Sequence, residues 1–331
     1  MIGVALERVA YRFRRPVATA YGTLAEREVL RLALLRDGET VGIGEAAPLA
    51  PYDGVTPDAV REALSPVLAG LPDDRAEWPD VALPQAAAAL DIAWLDARAR
   101  AGATSVASLH VADPADSVPV NATIPDTDRA GAASASKAAA DAGITCVKLK
   151  VGIGDDAGRI AAVRAAVGSD VAIRIDANGA WSVTEAVAAL RAFAPAGIEL
   201  CEEPVHGVEG LAEVREQLDG AVPIAMDETA RAPRAVSSGA CDFVCLKVAA
   251  CGGITGLWNA AEAARAAGSR VYVASTYDGP VGIAAGVQAA AALGDVPPCG
   301  LATLALFADV EDPFPVRDGR IDVPPGRGLG I

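Results

Sequence analysis

Two lysines and three carboxylates stand at the ends of short apolar runs, and side chains of these types can move protons and bind metal ions. Lys148 and Lys150 alternate with apolar residues, and this period of two predicts a strand with both ammonium groups on one side. Two like charges side by side destabilise a strand unless opposite charges face them. Three later apolar runs end in carboxylates that can supply those charges: Asp176, Glu202 and Asp227.

These ligand types favour a hard divalent cation. The sequence has only two histidines, His110 and His206, so it does not support a zinc site of cysteine and histidine, and His206 is interpreted as a loop residue. Three carboxylates suit Mg²⁺, or Mn²⁺, because these ions prefer oxygen ligands. A metal beside a lysine suits the removal of a proton α to a carboxylate, since the metal stabilises the developing charge and the amine takes the proton. Lys247 ends a further apolar run and is a second candidate base.

From Val118 onwards, strand patterns alternate with helix patterns. The charged strand ends recur after 26 residues (150 to 176), 26 (176 to 202), 25 (202 to 227) and 20 (227 to 247). Each interval is the length of one strand–helix unit, which predicts an α/β fold and a closed (β/α) barrel with its active site at the carboxyl ends of the strands. An open doubly wound sheet is the alternative, but residues 121–125 are not the glycine-rich loop that such a sheet usually brings. The strands are predicted near residues 118–123, 145–151, 171–176, 198–202, 222–227, 242–247, 270–274 and 298–301.

The first hundred residues read as strands followed by helices, which predicts an α+β unit. A hairpin crosses Asp37-Gly38, and helices begin near Pro57 and Pro84. Residues 44–54 are rich in Pro and Gly and are predicted to be irregular. The C-terminal tail leaves the periodic pattern and is expected to pack back on this unit. We predict two domains: an α+β domain over residues 1–110, joined by the tail 308–331, and a barrel over 111–307.

The composition of the 331-residue chain excludes several classes of function. Apolar residues make up 52%, enough for a large core, and aromatic residues only 4%, so the core must consist mainly of Ala, Val, Leu and Ile. A net charge of −15 argues against nucleic acid or an anionic membrane surface as a partner. Neither a signal peptide nor a membrane span is expected, and residues 279–294 are interpreted as a buried helix. The six cysteines lie in apolar contexts, which predicts reduced thiols in a cytoplasmic protein.

Five motifs resemble the enolase superfamily, and most closely its muconate-lactonizing-enzyme subgroup. They are Lys148-Leu149-Lys150, Asp176-Ala177-Asn178, Cys201-Glu202-Glu203-Pro204, Asp227-Glu228, and Lys247 followed by Gly252-Gly253-Ile254. The resemblance implies a (β/α) barrel of the modified TIM type with an α+β capping domain. It also implies that Asp176, Glu202 and Asp227 bind Mg²⁺. Lys150 would be the base on one face of the substrate, Lys247 would face it from the other, and Lys148 would lie near the metal-bound carboxylate.

Three neighbours of these residues receive separate interpretations. Glu202 is preferred over Glu203 as the ligand because the family's ligand stands two residues before the proline. Glu203 and Glu228 directly follow candidate ligands and are expected to point the other way on their strands. Asn178 is a candidate to share the face of Asp176 and to orient a ligand.

Within the superfamily, the chain is most similar to the o-succinylbenzoate synthase family of the actinobacterial type. The resemblance rests on residues 275–276, 282–285, 299–304, 309–310, 312–313 and 318–319. It implies a carbon–oxygen lyase on the menaquinone pathway, with Mg²⁺-dependent syn-dehydration of 2-succinyl-6-hydroxy-2,4-cyclohexadiene-1-carboxylate. Lys150 would take the α-proton and then, as an ammonium, help hydroxide to leave. Lys247 would stabilise the intermediate as a cation over the ring.

The sequence leaves two alternative functions to consider, a racemase or epimerase and a non-catalytic metal-binding barrel. Residues 275–280 depart from the Ser-Ala-Leu-like run of many synthases, so the substrate is less firmly implied than the reaction class. An N-acylamino acid racemase or dipeptide epimerase is the nearest alternative, because Lys150 and Lys247 on opposite faces also suit a two-base proton transfer. A dipeptide epimerase usually offers an Asp-x-Asp pair, and residues 309–312 do not reproduce that spacing. A non-catalytic metal-binding barrel is disfavoured because all three lysines are present.

Loops of the capping unit are expected to select the substrate, together with residues at the barrel mouth. The expected partner is a small-molecule carboxylate, and the sequence leaves the oligomeric state open, a homo-oligomer included. The candidate substrate-binding residues are Tyr21, Thr23, Leu49, Tyr52, Asn178, Ser275, Thr276, Gly300 and Leu301.

Overall fold

The computed structural model describes the whole chain, Met1–Ile331. It opens with a three-stranded antiparallel sheet of β1 (Gly3–Thr19), β2 (Gly22–Arg36) and β3 (Glu39–Ala46). Alternation along β2 buries Leu30, Leu32 and Leu34 on one face of this sheet. Three helices follow, α1 (Ala50–Asp53), α2 (Pro57–Leu64) and α3 (Pro84–Ala101), and the second and third cover that face. We call this α+β unit the cap.

Residues 44–54 are more regular than the sequence suggested. β3 continues through Ala46, and Ala50–Asp53 form a helical turn, so the prediction of an irregular segment was wrong at both ends. Gly44 accounts for the first difference, because a Cβ at this position would lie 1.9 Å from the carbonyl oxygen of Ala89 on α3. The glycine therefore permits a close approach of strand and helix and does not end the strand.

Seven parallel strands form the second sheet, which alternates with helices as predicted. The short β4 (Ser117–Pro119) precedes it. The strands are β5 (Ala122–Ile124), β6 (Cys146–Lys150), β7 (Ala172–Asp176), β8 (Ile198–Glu202), β9 (Ile224–Met226), β10 (Phe243–Lys247) and β11 (Arg270–Ala274). The helices are α4 (Arg129–Asp141), α5 (Asp156–Val167), α6 (Val183–Phe193), α7 (Val208–Leu218), α8 (Ile254–Ala266) and α9 (Pro280–Leu293).

The predicted strand at residues 298–301 is reduced to two isolated bridges. Gly300 bridges to Ala274 at the end of β11, and Cys299 bridges to Val120, just before β5. This segment therefore connects the two edges of the seven-stranded sheet and takes the place of an eighth strand. The predicted (β/α) barrel with an α+β cap is confirmed, with this one element less regular than expected.

The C-terminal tail contacts both units. β12 (Val316–Arg317) and β13 (Arg320–Asp322) form a small antiparallel sheet with β4. The backbone N–H of Ala308 donates to the carbonyl oxygen of Arg12 in β1 at 2.8 Å. The N–H of Leu329 donates to the carboxylate of Asp96 in α3, also at 2.8 Å. The tail thus packs against the cap and against β4, the short strand that precedes the seven-stranded sheet.

Buried charged residues join the cap to the barrel. The guanidinium of Arg27 in β2 donates to the carbonyl oxygen of Pro48 in the cap and, at 3.1 Å, to that of Thr276 after β11. The carboxylate of Glu45 in β3 accepts from the N–H of Gly279, directly before α9, at 2.7 Å. A third buried titratable residue, Asp278, directly precedes that glycine. We call the three residues the interface cluster: Arg27, Glu45 and Asp278.

The interior agrees with the composition. α9 is buried along almost its whole length, as predicted for residues 279–294, and six of its fourteen residues are alanine. All six cysteines are free thiols, and only Cys251 is partly exposed. No helix combines the length and the apolar character that crossing a membrane requires.

Candidate active site

The carboxyl ends of the barrel strands meet in one pocket beneath the cap. Strand pairing places Lys150 beside Asp176 and Asp176 beside Glu202, so these three residues share one layer. Lys148 lies two residues earlier on β6 and points to the same side. The charged residues that line the pocket at the strand ends form what we call the mouth cluster: Lys148, Lys150, Asp176, Glu202, Asp227 and Lys247.

The two lysines of β6 face the carboxylates of β7 and β8. Lys148 Nζ lies 3.0 Å from Asp176 Oδ2 and 3.0 Å from Glu202 Oε1. Lys150 Nζ lies 2.7 Å from Asp176 Oδ2 and also donates to Asn178 Oδ1. The like charges on β6 are therefore opposed by unlike charges on the neighbouring strands, as the sequence pattern requires.

Lys247 enters the pocket from β10, which is separated from β6 by three strands. Its Nζ donates to Asp227 Oδ1 and, at 2.8 Å, to the hydroxyl oxygen of Tyr52 in α1. The Tyr52 hydroxyl in turn donates to Asp227 Oδ1 at 3.2 Å, and the ring centre lies 4.7 Å from Lys247 Nζ. The two candidate bases, Lys150 and Lys247, thus approach the pocket from different sides of the barrel.

The charged side chains in the pocket shift one another's pKa values. Burial by itself lowers the pKa of Lys148, but the carboxylates of Asp176 and Glu202 outweigh burial and raise that pKa well above its ordinary value. The same balance, with Asp227 as the main partner, raises the pKa of Lys247. Burial dominates at Glu202 and raises the pKa of that carboxyl to about 7. In this arrangement both lysines are held as cations.

The donor set fits a divalent metal ion. The side chains of Asp176 and Glu202 are 1% exposed and that of Asp227 is 5% exposed. Buried carboxylates need positive partners, and here those partners are flexible ammonium groups. A divalent ion can take over that compensation and release the lysines toward a substrate. No histidine lines the pocket, so oxygen donors dominate, which suits a hard ion.

Tyr21 reaches the pocket from the turn between β1 and β2. Its hydroxyl donates to Glu228 Oε1 at 2.6 Å, and its ring meets that of Tyr52 edge to face with ring centres 5.6 Å apart. Glu228 Oε1 also accepts from Asn178 Nδ2 at 2.9 Å. Because Asn178 contacts Lys150, a continuous chain of hydrogen bonds connects the cap to a candidate base.

The structure gathers most, but not all, of the predicted site residues. Thr23 does not line the pocket, because it belongs to β2 beyond the turn and is exposed. Leu301 is only 1% exposed and packs on α9, where a Cβ at Gly286 would lie 2.7 Å from its side chain. The predicted substrate-binding residues that do line the pocket are Tyr21, Leu49, Tyr52, Asn178, Ser275, Thr276 and Gly300.

Several pocket residues were not singled out from the sequence. Glu228 was expected to face away, but a 3₁₀ turn over Glu228–Arg231 follows β9 at once and breaks the strand alternation. Tyr277 has a φ of 58°, a conformation that the sequence did not signal. The remaining pocket residues that were missed are Thr19, Leu24, Pro51, Thr123, Ala274 and Thr303.

Glu203 lies outside the pocket, as expected. It is fully buried, and its carboxylate accepts from the N–H groups of Asp227 at 2.8 Å and Thr229 at 3.0 Å. It also contacts His206 Nδ1 at 3.0 Å. Glu203 therefore holds the backbone that carries Asp227, and His206 is an exposed loop residue.

Lysine is rare in this chain and concentrated in the pocket. The sequence has four lysines, Lys137, Lys148, Lys150 and Lys247, and the last three line the pocket. The exposed fractions of those three side chains are 17%, 24% and 9%, against 53% for Lys137.

Two family models match this chain. Residues 1–110 match the N-terminal domain of mandelate racemase / muconate lactonizing enzyme, and residues 130–331 match the enolase C-terminal domain-like family. Together they cover the cap, most of the barrel and the tail, and leave out residues 111–129, which contain β4 and β5.

Curated relatives and solved structures agree with these matches. The chain is 41% identical over 227 residues to an o-succinylbenzoate synthase from Thermobifida fusca, covering 63% of this chain and 68% of that protein. It is 42% identical over 220 residues to one from Mycobacterium tuberculosis, covering 63% and 64%. The structure of the L-Ala-D/L-Glu epimerase from Bacillus subtilis superposes with a TM-score of 0.88 at 27% identity, covering 99% of this chain and 97% of that one.

The curated alignments thus span about two thirds of each relative's length, whereas the structural match spans nearly all of both chains. The sequence motifs, the barrel with its cap and both family models lead to one assignment. The chain belongs to the enolase superfamily, in the family of mandelate racemase and muconate lactonizing enzyme.

Proposed function

We propose that the chain is an o-succinylbenzoate synthase, a carbon–oxygen lyase that removes water from 2-succinyl-6-hydroxy-2,4-cyclohexadiene-1-carboxylate in menaquinone biosynthesis. The observation that carries the proposal is the identity of 41% and 42% to curated synthases. The epimerase from Bacillus subtilis shares the fold at only 27% identity. The reaction starts with removal of a proton α to a carboxylate, a task that suits the residues of the mouth cluster.

Lys150 is the proposed base. Its Nζ contacts Asp176 and Asn178 at the end of β6, so its position is fixed from two sides. In a syn elimination the proton and the hydroxide leave from the same face of the ring. The neutral amine can take the proton, and the ammonium that results can return it to the departing hydroxide as water. One lysine therefore serves both halves of the reaction.

A bound Mg²⁺ ion would supply a positive charge where the substrate carboxylate becomes more negative as its α-proton leaves. The proposed ligands are Asp176, Glu202 and Asp227. Lys148 contacts two of them and would add positive charge on the same side. Lys247, whose pKa the neighbouring carboxylates raise, would remain a cation on the opposite face of the substrate.

The cap residues are proposed to hold the rest of the substrate, a small carboxylate. Tyr21 and Tyr52 meet edge to face over the strand ends, and a flat ring can pack between such side chains and the barrel. Leu49 lines the same side of the pocket. Ser275, Thr276 and Gly300 also line the pocket, and their hydroxyl and backbone groups can bind the succinyl carboxylate.

A racemase acting on N-acylamino acids is the second candidate, because Lys150 and Lys247 approach the pocket from different sides of the barrel. In that reaction one amine would remove the α-proton and the other ammonium would return a proton to the opposite face. The dehydration needs only one of these lysines for proton transfer. The two functions can therefore be separated by what happens when Lys247 is changed.

The test is a paired assay in Mg²⁺. One sample follows the loss of cyclohexadiene absorbance, and the other follows α-proton exchange of N-succinylamino acids in deuterated water. The proposal expects dehydration that is lost in Lys150→Ala. Exchange without dehydration would reject the synthase and favour the racemase. Absence of both, with metal bound, would reject both functions.

A further inference from the structure

Cys245 places a sulfur atom beside the predicted metal ligands. It lies on β10 two residues before Lys247, so it points to the same side of the strand. Its side chain is buried, with 2% of the residue exposed, and its thiol forms no hydrogen bond in the structure, in contrast to those of Cys146 and Cys299. A buried donor atom without a partner is free to bind an ion that enters its surroundings.

The geometry joins this thiol to two carboxylates. One ligand atom each from Glu202, Asp227 and Cys245 lie within 4.8 Å of one another. Ligand atoms around a divalent ion stand about 2.0–2.3 Å from it, so the donors must move inward only slightly to share one ion. Asp176 is not part of this group of three donors, and its Oδ2 accepts from Lys148 and Lys150.

A neighbouring tyrosine orients one of these carboxylates. The hydroxyl of Tyr272 donates to Glu202 Oε2 at 2.8 Å, and Tyr272 pairs directly with Cys245 across β10 and β11. Such outer hydrogen bonds fix the direction of a ligand and support metal affinity. Glu202 and Cys245 therefore lie on barrel strands, and Asp227 directly follows β9.

We propose that Glu202, Asp227 and Cys245 form a mixed oxygen–sulfur site that binds borderline or soft divalent cations such as Co²⁺ and Cd²⁺. On binding, a metal–sulfur bond forms, the S–H bond breaks and the proton passes to solvent. Thiolate favours soft ions, and carboxylate alone favours Mg²⁺. Because Glu202 and Asp227 are shared, a soft ion in this site would exclude Mg²⁺ from the predicted three-carboxylate site. The inference does not depend on which substrate the protein uses.

The test is optical titration of the metal-free full chain with Co²⁺. Thiolate coordination gives a sulfur-to-cobalt charge-transfer band in the near ultraviolet, which oxygen ligands do not give. We expect the band in the unmodified protein, its loss in Cys245→Ser, and its retention in Cys251→Ser, where the changed thiol is the one most accessible to solvent. Cys245→Ser should weaken Cd²⁺ binding at least tenfold and change Mg²⁺ binding less than threefold.

Two results would overturn the inference. One is a band that persists in Cys245→Ser, and the other is a band unaffected by Glu202→Gln or by saturating Mg²⁺, since both show that the ion binds elsewhere. Circular dichroism establishes that each variant is folded. The ¹¹³Cd chemical shift of the unmodified protein needs no variant: a value typical of all-oxygen coordination would also reject the sulfur ligand.

Discussion

The mouth cluster and the interface cluster both bury carboxylates between the cap and the barrel, but they neutralise them differently. In the mouth cluster, Asp176 and Asp227 each contact a lysine ammonium directly. In the interface cluster, Arg27 uses its N–H groups on carbonyl oxygens, and Glu45 accepts mainly from backbone N–H. Mobile ammonium partners can give way to a metal and a substrate, whereas backbone contacts fix the loops that bear them. The mouth cluster is therefore suited to catalysis, and the interface cluster is suited to holding the cap in place on the barrel.

Of the variants considered, replacement of Lys150 in the mouth cluster should have the largest effect, and that effect should be on the rate of dehydration. Lys150→Met removes the proposed base, and general-base catalysis contributes about 10²–10⁴-fold, so dehydration should fall by at least about 10²-fold. The measurement is kcat/KM with Mg²⁺ present, alongside circular dichroism. Lys137→Met is the matched control, since this lysine is exposed and pairs only with Asp141. If Lys150→Met keeps more than a tenth of the dehydration activity, Lys150 is not the general base.

Magnesium should stabilise the protein through the mouth cluster alone. An ion that binds only the folded chain adds about 2.7 kcal/mol to the free energy of unfolding at a hundred times its Kd. Thermal unfolding with and without Mg²⁺ measures this gain. Asp227→Asn should lose most of it, and Glu45→Gln should keep it. Equal loss in the two variants would mean that the clusters are not independent.

The interface cluster should make stability depend on pH. Burial, followed by the charge of Asp278, raises the pKa of Glu45 from 4.5 to about 8. Between these values the folded protein keeps a proton that the unfolded chain has lost. The free energy of unfolding should therefore fall as pH rises through this window, by at most about 1.4 kcal/mol per pH unit, and level off above it.

Glu45→Gln is the matching variant, because glutamine keeps the shape and still accepts from Gly279 but cannot ionise. Chemical unfolding between pH 5 and pH 8 should show a flatter dependence than in the unmodified protein. Asp278, whose pKa burial also raises, remains in the variant and sets the residual slope. An unchanged slope would show that Glu45 does not carry the effect.

The smallest effect is expected at the contact between the cap and the mouth cluster. Tyr21→Phe removes the hydrogen bond to Glu228, and one such bond contributes about 0.5–1.5 kcal/mol, so KM should rise roughly twofold to tenfold. Stability should hardly change, because Tyr21 is 36% exposed. A loss in kcat with an unchanged KM would instead place Tyr21 among the groups that act on the reacting atoms.

The strand ends could be predicted because their signals are local. Alternation put Lys148 and Lys150 on one side, and nearly equal spacing placed Asp176, Glu202 and Asp227 at the ends of successive strands. The prediction of the barrel and cap followed from that periodicity and is confirmed. The roles of the individual residues remain predictions that the variants above address.

What could not be predicted depends on contacts distant in sequence. Glu45 meets Gly279, which lies 234 residues away, and no local pattern distinguishes it from an exposed glutamate. Gly44 looked like a chain breaker until its contact with α3 was known. Glu228 turned toward the pocket because a 3₁₀ turn replaced the expected strand alternation.

The distribution of lysine has a practical consequence for chemical labelling. Lys137 is the one lysine whose side chain is mainly exposed. Among the lysines, an amine-reactive dye or support should therefore attach at Lys137 first and leave the barrel mouth intact. Slower acylation of the remaining lysines would then report directly on occupancy of the pocket, because a bound metal or substrate alters both their access and their charge.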